Sequence, residues 1–168
     1  MLPNERRGPG DRGGGGTTTG DRFDTFTDEA KRALVRAQTE ALRRRHTHIG
    51  PEHLLLGLTG SDAGTATRIL AALGVDRHHV RRAVAGALDR SQVRVSGALR
   101  LTPRAKRVIA LAVAEADRLR DRHIGPEHLL LGLVAAGEGV AAGVLSRLGV
   151  ELEPARAVVR RRRDGAGT

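Results

Sequence analysis

His48-Ile49-Gly50-Pro51-Glu52-His53-Leu54-Leu55-Leu56-Gly57-Leu58 recurs letter for letter as His123 to Leu133, 75 residues further on. The same offset aligns Thr27 with Thr102, Ala30-Lys31-Arg32 with Ala105-Lys106-Arg107, Glu40-Ala41 with Glu115-Ala116, and Leu73-Gly74-Val75 with Leu148-Gly149-Val150. No insertion or deletion separates the copies. The chain is therefore one unit of about 62 residues written twice, with tails, and its function is expected of the pair.

Each copy reads as four short helices. Thr27 is a suitable N-cap for a helix running to about Arg45, with Leu34, Ala37, Ala41 and Leu42 on one stripe. Thr102-Pro103 opens the same helix in the second copy, with Pro at the first helical position. Gly50-Pro51 and Gly125-Pro126 interrupt the chain and start second helices rich in leucine, of which two in each triplet are expected to face inward. Third helices span Thr65–Leu73 and Val140–Leu148, and Gly74 and Gly149 suit left-handed caps after them. Asp76 can cap a fourth helix with Val80, Ala83, Val84, Ala87 and Leu88 inward. Its counterpart starts near Glu153-Pro154 and runs into the Arg-rich end. Helices this short need tertiary packing to persist. The fold expected is all-α: two tandem four-helix repeats, eight short helices in all, related by a pseudo-twofold. The organisation is a flexible arm over 1–22, a first repeat over 23–88, a linker over 89–100, a second repeat over 101–163 that ends in the Arg160–Arg163 run, and a short tail over 164–168.

Composition narrows the function. Two Phe and no Tyr, Trp or Cys leave a core of Leu, Val, Ile and Ala, which favours close-packed helices. The lack of Cys removes disulfides and thiolate metal sites. The start has no apolar signal region and no stretch suits a membrane span, so a cytoplasmic, membrane-free protein is expected. The net charge of +10 is unevenly spread: residues 27–88 carry ten basic against six acidic groups, residues 102–159 eight against seven, and Arg160–Arg163 is a basic run. Such charge supports a general affinity for polyanions without specifying a partner.

The pattern F-T-x-x-A-K-x-A-L…H-I-G-P-E-H-L-L-L-G-L…L-G-V, given twice at this spacing, resembles the double Clp N-terminal repeat that stands before the ATPase domains of Clp-type unfoldases, ClpC above all. The resemblance covers about residues 23–163 and implies two four-helix repeats related by a pseudo-twofold. No G-x-x-x-x-G-K-[ST] loop is present, and neither Lys31 nor Lys106 stands in one. A stand-alone binding protein without a motor, an enzyme activity or a cofactor is therefore expected. The resemblance further implies a pocket in each repeat for phosphorylated arginine, with Glu52 and Thr27 in the first and Glu127 and Thr102 in the second. A carboxylate matches a planar guanidinium, and a helix N-terminus offers free N–H groups to an anion. Pro103 removes one such N–H, and Pro51 and Pro126 stand where the resemblance leads one to expect Thr.

Plainer roles compete with these. A Thr before a helix is ordinarily its cap, and a Glu in the first turn ordinarily complements the helix dipole. His48 and His53, echoed by His123 and His128, lack H-E-x-x-H spacing and a third ligand, so they are read as holding the turn or packing against the neighbouring helix, with no metal. Phe23 either staples the first helix or lies on a partner surface. The function expected is recognition of arginine-phosphorylated or otherwise marked substrates, or of a Clp unfoldase or its adaptors, by a monomer in protein quality control. Delivery, competition and sequestration fit the sequence equally. The alternative is a basic nucleic-acid-associated protein, against which stands the lack of aromatics for base stacking.

Overall fold

The computed structural model describes residues 25–88 and 99–166. The 1–22 arm, Phe23 and most of the 89–100 linker lie outside the described residues. Eight helices follow in order among those described: α1 (Asp28–Arg43), α2 (Pro51–Leu58), α3 (Thr65–Ala72), α4 (Arg77–Leu88), α5 (Pro103–Arg118), α6 (Pro126–Ala136), α7 (Gly139–Arg147) and α8 (Leu152–Gly165). The last continues past the boundary expected for the tail. The described residues also form two short strands, β1 (His48–Ile49) and β2 (Arg100–Leu101).

Local chemistry explains the helix ends. Thr27 and Thr102 are extended at ψ 159, and each Oγ1 accepts from the N–H three residues on, Ala30 or Ala105, at 3.1 Å. This satisfies one of the first-turn donors that a helix leaves unpaired. At the other end, Arg45 and Arg120 take the left-handed conformation, with φ 56 and 57. The chain then turns back, so that His46 N donates to Ala41 O at 3.0 Å and Asp121 N to Ala116 O at 2.9 Å. Gly74 and Gly149 are left-handed as expected, with φ 77 and 83.

The buried stripe of α1 differs from the one read in the sequence. Ala30, Ala33, Ala37 and Ala41 face the core, whereas Leu42 is 57% exposed. The reason is the close approach of α2. A Cβ built on Gly57 would stand 2.3 Å from Ala33 O and 2.9 Å from Ala37 N, so α1 must present alanines where α2 crosses it without a side chain. The same contact recurs between α5 and α6, where a Cβ on Gly132 would meet Val108 O at 2.5 Å. All three leucines of each triplet are buried, not two. Helices α2 and α6 lie in the middle of the molecule, covered on every side, so they need no polar face. In α4, Val80, Val84 and Leu88 are buried while Ala83 is exposed.

The two repeats exchange contacts. Strand β1 of the first pairs in parallel with β2, which precedes the first helix of the second, in register His48↔Arg100 and Ile49↔Leu101. Phe26 bridges Ile124, also in parallel, in the counterpart pairing at the 75-residue offset. Helix α3 packs on α6 and α8, and α7 packs on α2 and α4. Residues of both copies form one hydrophobic core. Partly buried ion pairs repeat at the same offset: Arg81 Nη2 lies 2.7 Å from Glu40 Oε1, and Arg156 Nη2 lies 2.5 Å from Glu115 Oε1. Burial alone would raise the Glu40 carboxyl, but hydrogen bonds from Arg81 and Arg44 outweigh it and hold it below the usual carboxylate range.

Candidate functional site

The exchange of contacts decides which residues meet. Thr27 N donates to Ile124 O at 3.0 Å, which sets the start of α1 beside the turn that opens α6. Thr102 N donates to Ile49 O at 3.0 Å, which sets the start of α5 beside the turn that opens α2. The expected pairs are therefore crossed. Thr27 shares a cavity with Glu127, and Thr102 stands by the segment that leads into Glu52, each pair drawn from both repeats. The cause is the parallel pairing of the segment before each first helix with the segment before the other copy's second helix.

The cavity at Thr27 encloses about 390 Å³. Its floor includes Ile69 of α3 and Val159 of α8, and its rim carries Thr65, Asp121, Arg122, His123, Glu127, Arg162 and Arg163. The Gly125-Pro126 turn is locked from inside. Gly125 N donates to His128 Nδ1 at 2.9 Å, so the ring proton sits on Nε2, which donates to Asp121 Oδ2 at 2.9 Å. A histidine here does what the third helical residue of a capping box does. Asp121 also holds Arg163, Oδ1 to Nη2 at 3.0 Å, and Arg163 donates to Leu119 O.

Glu127 is left over. Its Oε1 lies 3.5 Å from His128 Nδ1, a nitrogen that already accepts from Gly125, and no Lys or Arg pairs with it among the described residues. Neither Arg122 nor Arg162 pairs with an acid among the described residues. One cavity thus offers an unpaired carboxylate and two unpaired guanidinium groups, the complement of a ligand bearing both charges.

The first repeat builds the same turn with a different lock. Gly50 N donates to His53 Nδ1 at 2.9 Å, and His53 Nε2 meets His46 Nδ1 at 2.7 Å where the second copy has Asp121. Burial, and then the positive charge of His46 and Arg44 nearby, lowers the His53 pKa to about 4. His53 and His128 hold turns, one of the two roles expected of them. Among the described residues no group of three His, Cys, Asp or Glu side chains could hold a metal ion. A second hollow of about 210 Å³ is apolar, lined in part by Phe26, Leu34, Val35, Ile49, Leu101 and Ile109.

The model of the Clp repeat (R) N-terminal domain matches residues 25–148 and again 101–161. The chain belongs to that family. It is 46% identical over 134 residues to the negative regulator of genetic competence ClpC/MecB of Bacillus subtilis, covering 80% of this chain and 16% of that protein. The chain thus spans about a sixth of that relative's length. The N-terminal domain of the chaperone ClpD from Arabidopsis thaliana superposes with a TM-score of 0.69 at 27% identity, over 89% of this chain and 99% of that one. The N-domain of ClpV from Vibrio cholerae gives 0.73 at 16% identity, over 92% of this chain and 91% of that one, a likeness of fold.

Within this Clp N-terminal domain, Thr27 and Thr102 serve as caps, Glu52 and Glu127 stand at second-helix N-termini, and Phe23 lies outside the described residues. What the sequence did not single out is the role of the arginines. Arg160–Arg163 read as a tail with polyanion affinity. In the structure that run is helical, and Arg162 and Arg163 line the cavity with Arg122. The signal was present in the repeat itself, since the offset sets Arg122, Arg162 and Arg163 against Thr47, Ala87 and Leu88.

Proposed function

We propose that this chain is a binding module of protein quality control that captures arginine-phosphorylated segments of substrates, or adaptors presenting them, for a Clp-type unfoldase. One observation carries it: the unpaired Glu127 carboxylate shares a cavity of about 390 Å³ with guanidinium groups and with the start of α1. A phosphorylated arginine carries a planar cation that suits the carboxylate and a dianionic group that suits the cationic rim. The apolar hollow beside Val35, itself 61% exposed, gives a flanking polypeptide somewhere to rest. Kinship to ClpC supports the same reading. Binding rather than catalysis is the proposed role, because Glu52 and Glu127 are counterparts at equivalent helix starts and not a differently tuned pair.

Titration calorimetry of the folded protein with free phosphoarginine tests this, with arginine and inorganic phosphate as controls. Selective heat with phosphoarginine, lost in Glu127→Ala at unchanged helicity, is the expected result. No binding by the folded protein, or equal binding of phosphate alone, would overturn it.

A further inference from the structure

The 75-residue offset permits a comparison of the two mouths, position by position. At Thr27 the cavity has Arg122, Arg162, Arg163 and Asp121; at Thr102 the same positions hold Thr47, Ala87, Leu88 and His46. The cationic wall exists on one side only.

The start of α1 is also a poor place for an anion. Its first turn carries Asp28 and Glu29, which already complement the helix dipole. The Glu29 carboxylate is committed to α3, accepting from Thr65 N at 2.7 Å and from Thr65 Oγ1 at 2.8 Å. The first turn of α1 thus already carries two negative charges, which disfavour a third at its N-terminus. On the opposite wall Asp121 is engaged by both His128 and Arg163. Arg163 is fixed there by Asp121 and the Leu119 carbonyl, which leaves Arg122 and Arg162 with open donors at the rim.

We infer that the cavity at Thr27 and Glu127 is the working site, that Arg122 and Arg162 rather than the α1 N-terminus hold the ligand's phosphoryl group, and that each chain takes one ligand. This deepens, and rests on, the phosphoarginine reading above. Glu127 takes the guanidinium end and the two arginines take the phosphoryl end, so the cavity spans the whole modified side chain. The mouth at Thr102 lacks the arginine wall and contributes no second equivalent. The basic end of α8 thereby becomes part of the site.

The test is calorimetry with free phosphoarginine on the wild-type chain, Arg122→Ala, Arg162→Ala, the double variant, and Arg160→Ala. Arg160 is exposed on the same helix but lines no part of the cavity, so its loss controls for net charge. One equivalent per wild-type chain is expected. Each cavity arginine should weaken binding roughly tenfold or more, as expected for a lost hydrogen bond to a charged group, and Arg160→Ala should bind as wild type. Two equal equivalents, or wild-type affinity in the double variant, would overturn this inference and leave the phosphoarginine reading standing. Absence of binding by the wild-type chain would remove both. Circular dichroism melts confirm that each variant is folded.

Discussion

Replacing Gly132 with alanine tests the backbone contact on which the whole arrangement turns. Alanine favours a helix over glycine by about 1 kcal/mol, so propensity alone argues for stabilisation. The structure argues the reverse. The new Cβ would lie 2.5 Å from Val108 O and 2.9 Å from Ala112 N, both backbone atoms of α5 that no rotamer change can move. Helix α6 must retreat, and the retreat loosens Leu129 and Leu133, each 1% exposed. Overpacking of this kind costs about 1–3 kcal/mol. Gly143 in α7 provides the control, because a Cβ there meets nothing within 4 Å. Gly143→Ala should therefore gain about 0.5–1 kcal/mol from propensity alone. The difference between the two variants isolates the steric term, and urea unfolding with a constant m-value measures it through the midpoints. Gly57→Ala, with a contact at 2.3 Å, should behave like Gly132→Ala. Equal stability of Gly132→Ala and Gly143→Ala would refute the claim that α5 and α6 meet backbone to backbone.

Three further outcomes are expected. His53 has its folded-state pKa lowered to about 4 against an ordinary 6.5, so its contribution is full above about pH 6.5 and is lost as the pH falls towards 4. The loss should reach about 2 kcal/mol by pH 5; unfolding at pH 7, 6 and 5 should show a steeper decline in wild type than in His53→Gln, and identical slopes would argue against it. Arg45→Gly and Arg120→Gly should each stabilise by about 0.5–1 kcal/mol, since both positions have φ near 57; a lower melting temperature in either would contradict this. Glu115→Ala should cost about 2 kcal/mol by removing the buried carboxylate that Arg156 grips, while Arg156 keeps Glu153, whereas Glu115→Leu combined with Arg156→Met should recover most of it. Failure of the double variant to exceed the single one in urea midpoint would count against that account.

The sequence by itself determined the repeat, the eight helices and their ends. Thr27, Thr102, Gly74 and Gly149 act through neighbours within a few residues, so their effects are legible in any stretch that contains them. Turn-holding by His53 and His128 was one of two roles legible for the same reason, and the bonds from Gly50 N and Gly125 N decide it. The tertiary structure alone decided which copy each helix rests on. In a chain written twice, an apolar face that fits the partner helix of its own copy fits the equivalent helix of the other copy equally well. Periodicity therefore cannot distinguish Thr27 beside Glu52 from Thr27 beside Glu127. Pairing of β1 with β2, and of Phe26 with Ile124, settles the question in favour of the crossed arrangement. That crossing brings Arg122, Arg162 and Glu127, residues up to 40 positions apart in sequence, around one cavity that the start of α1 closes.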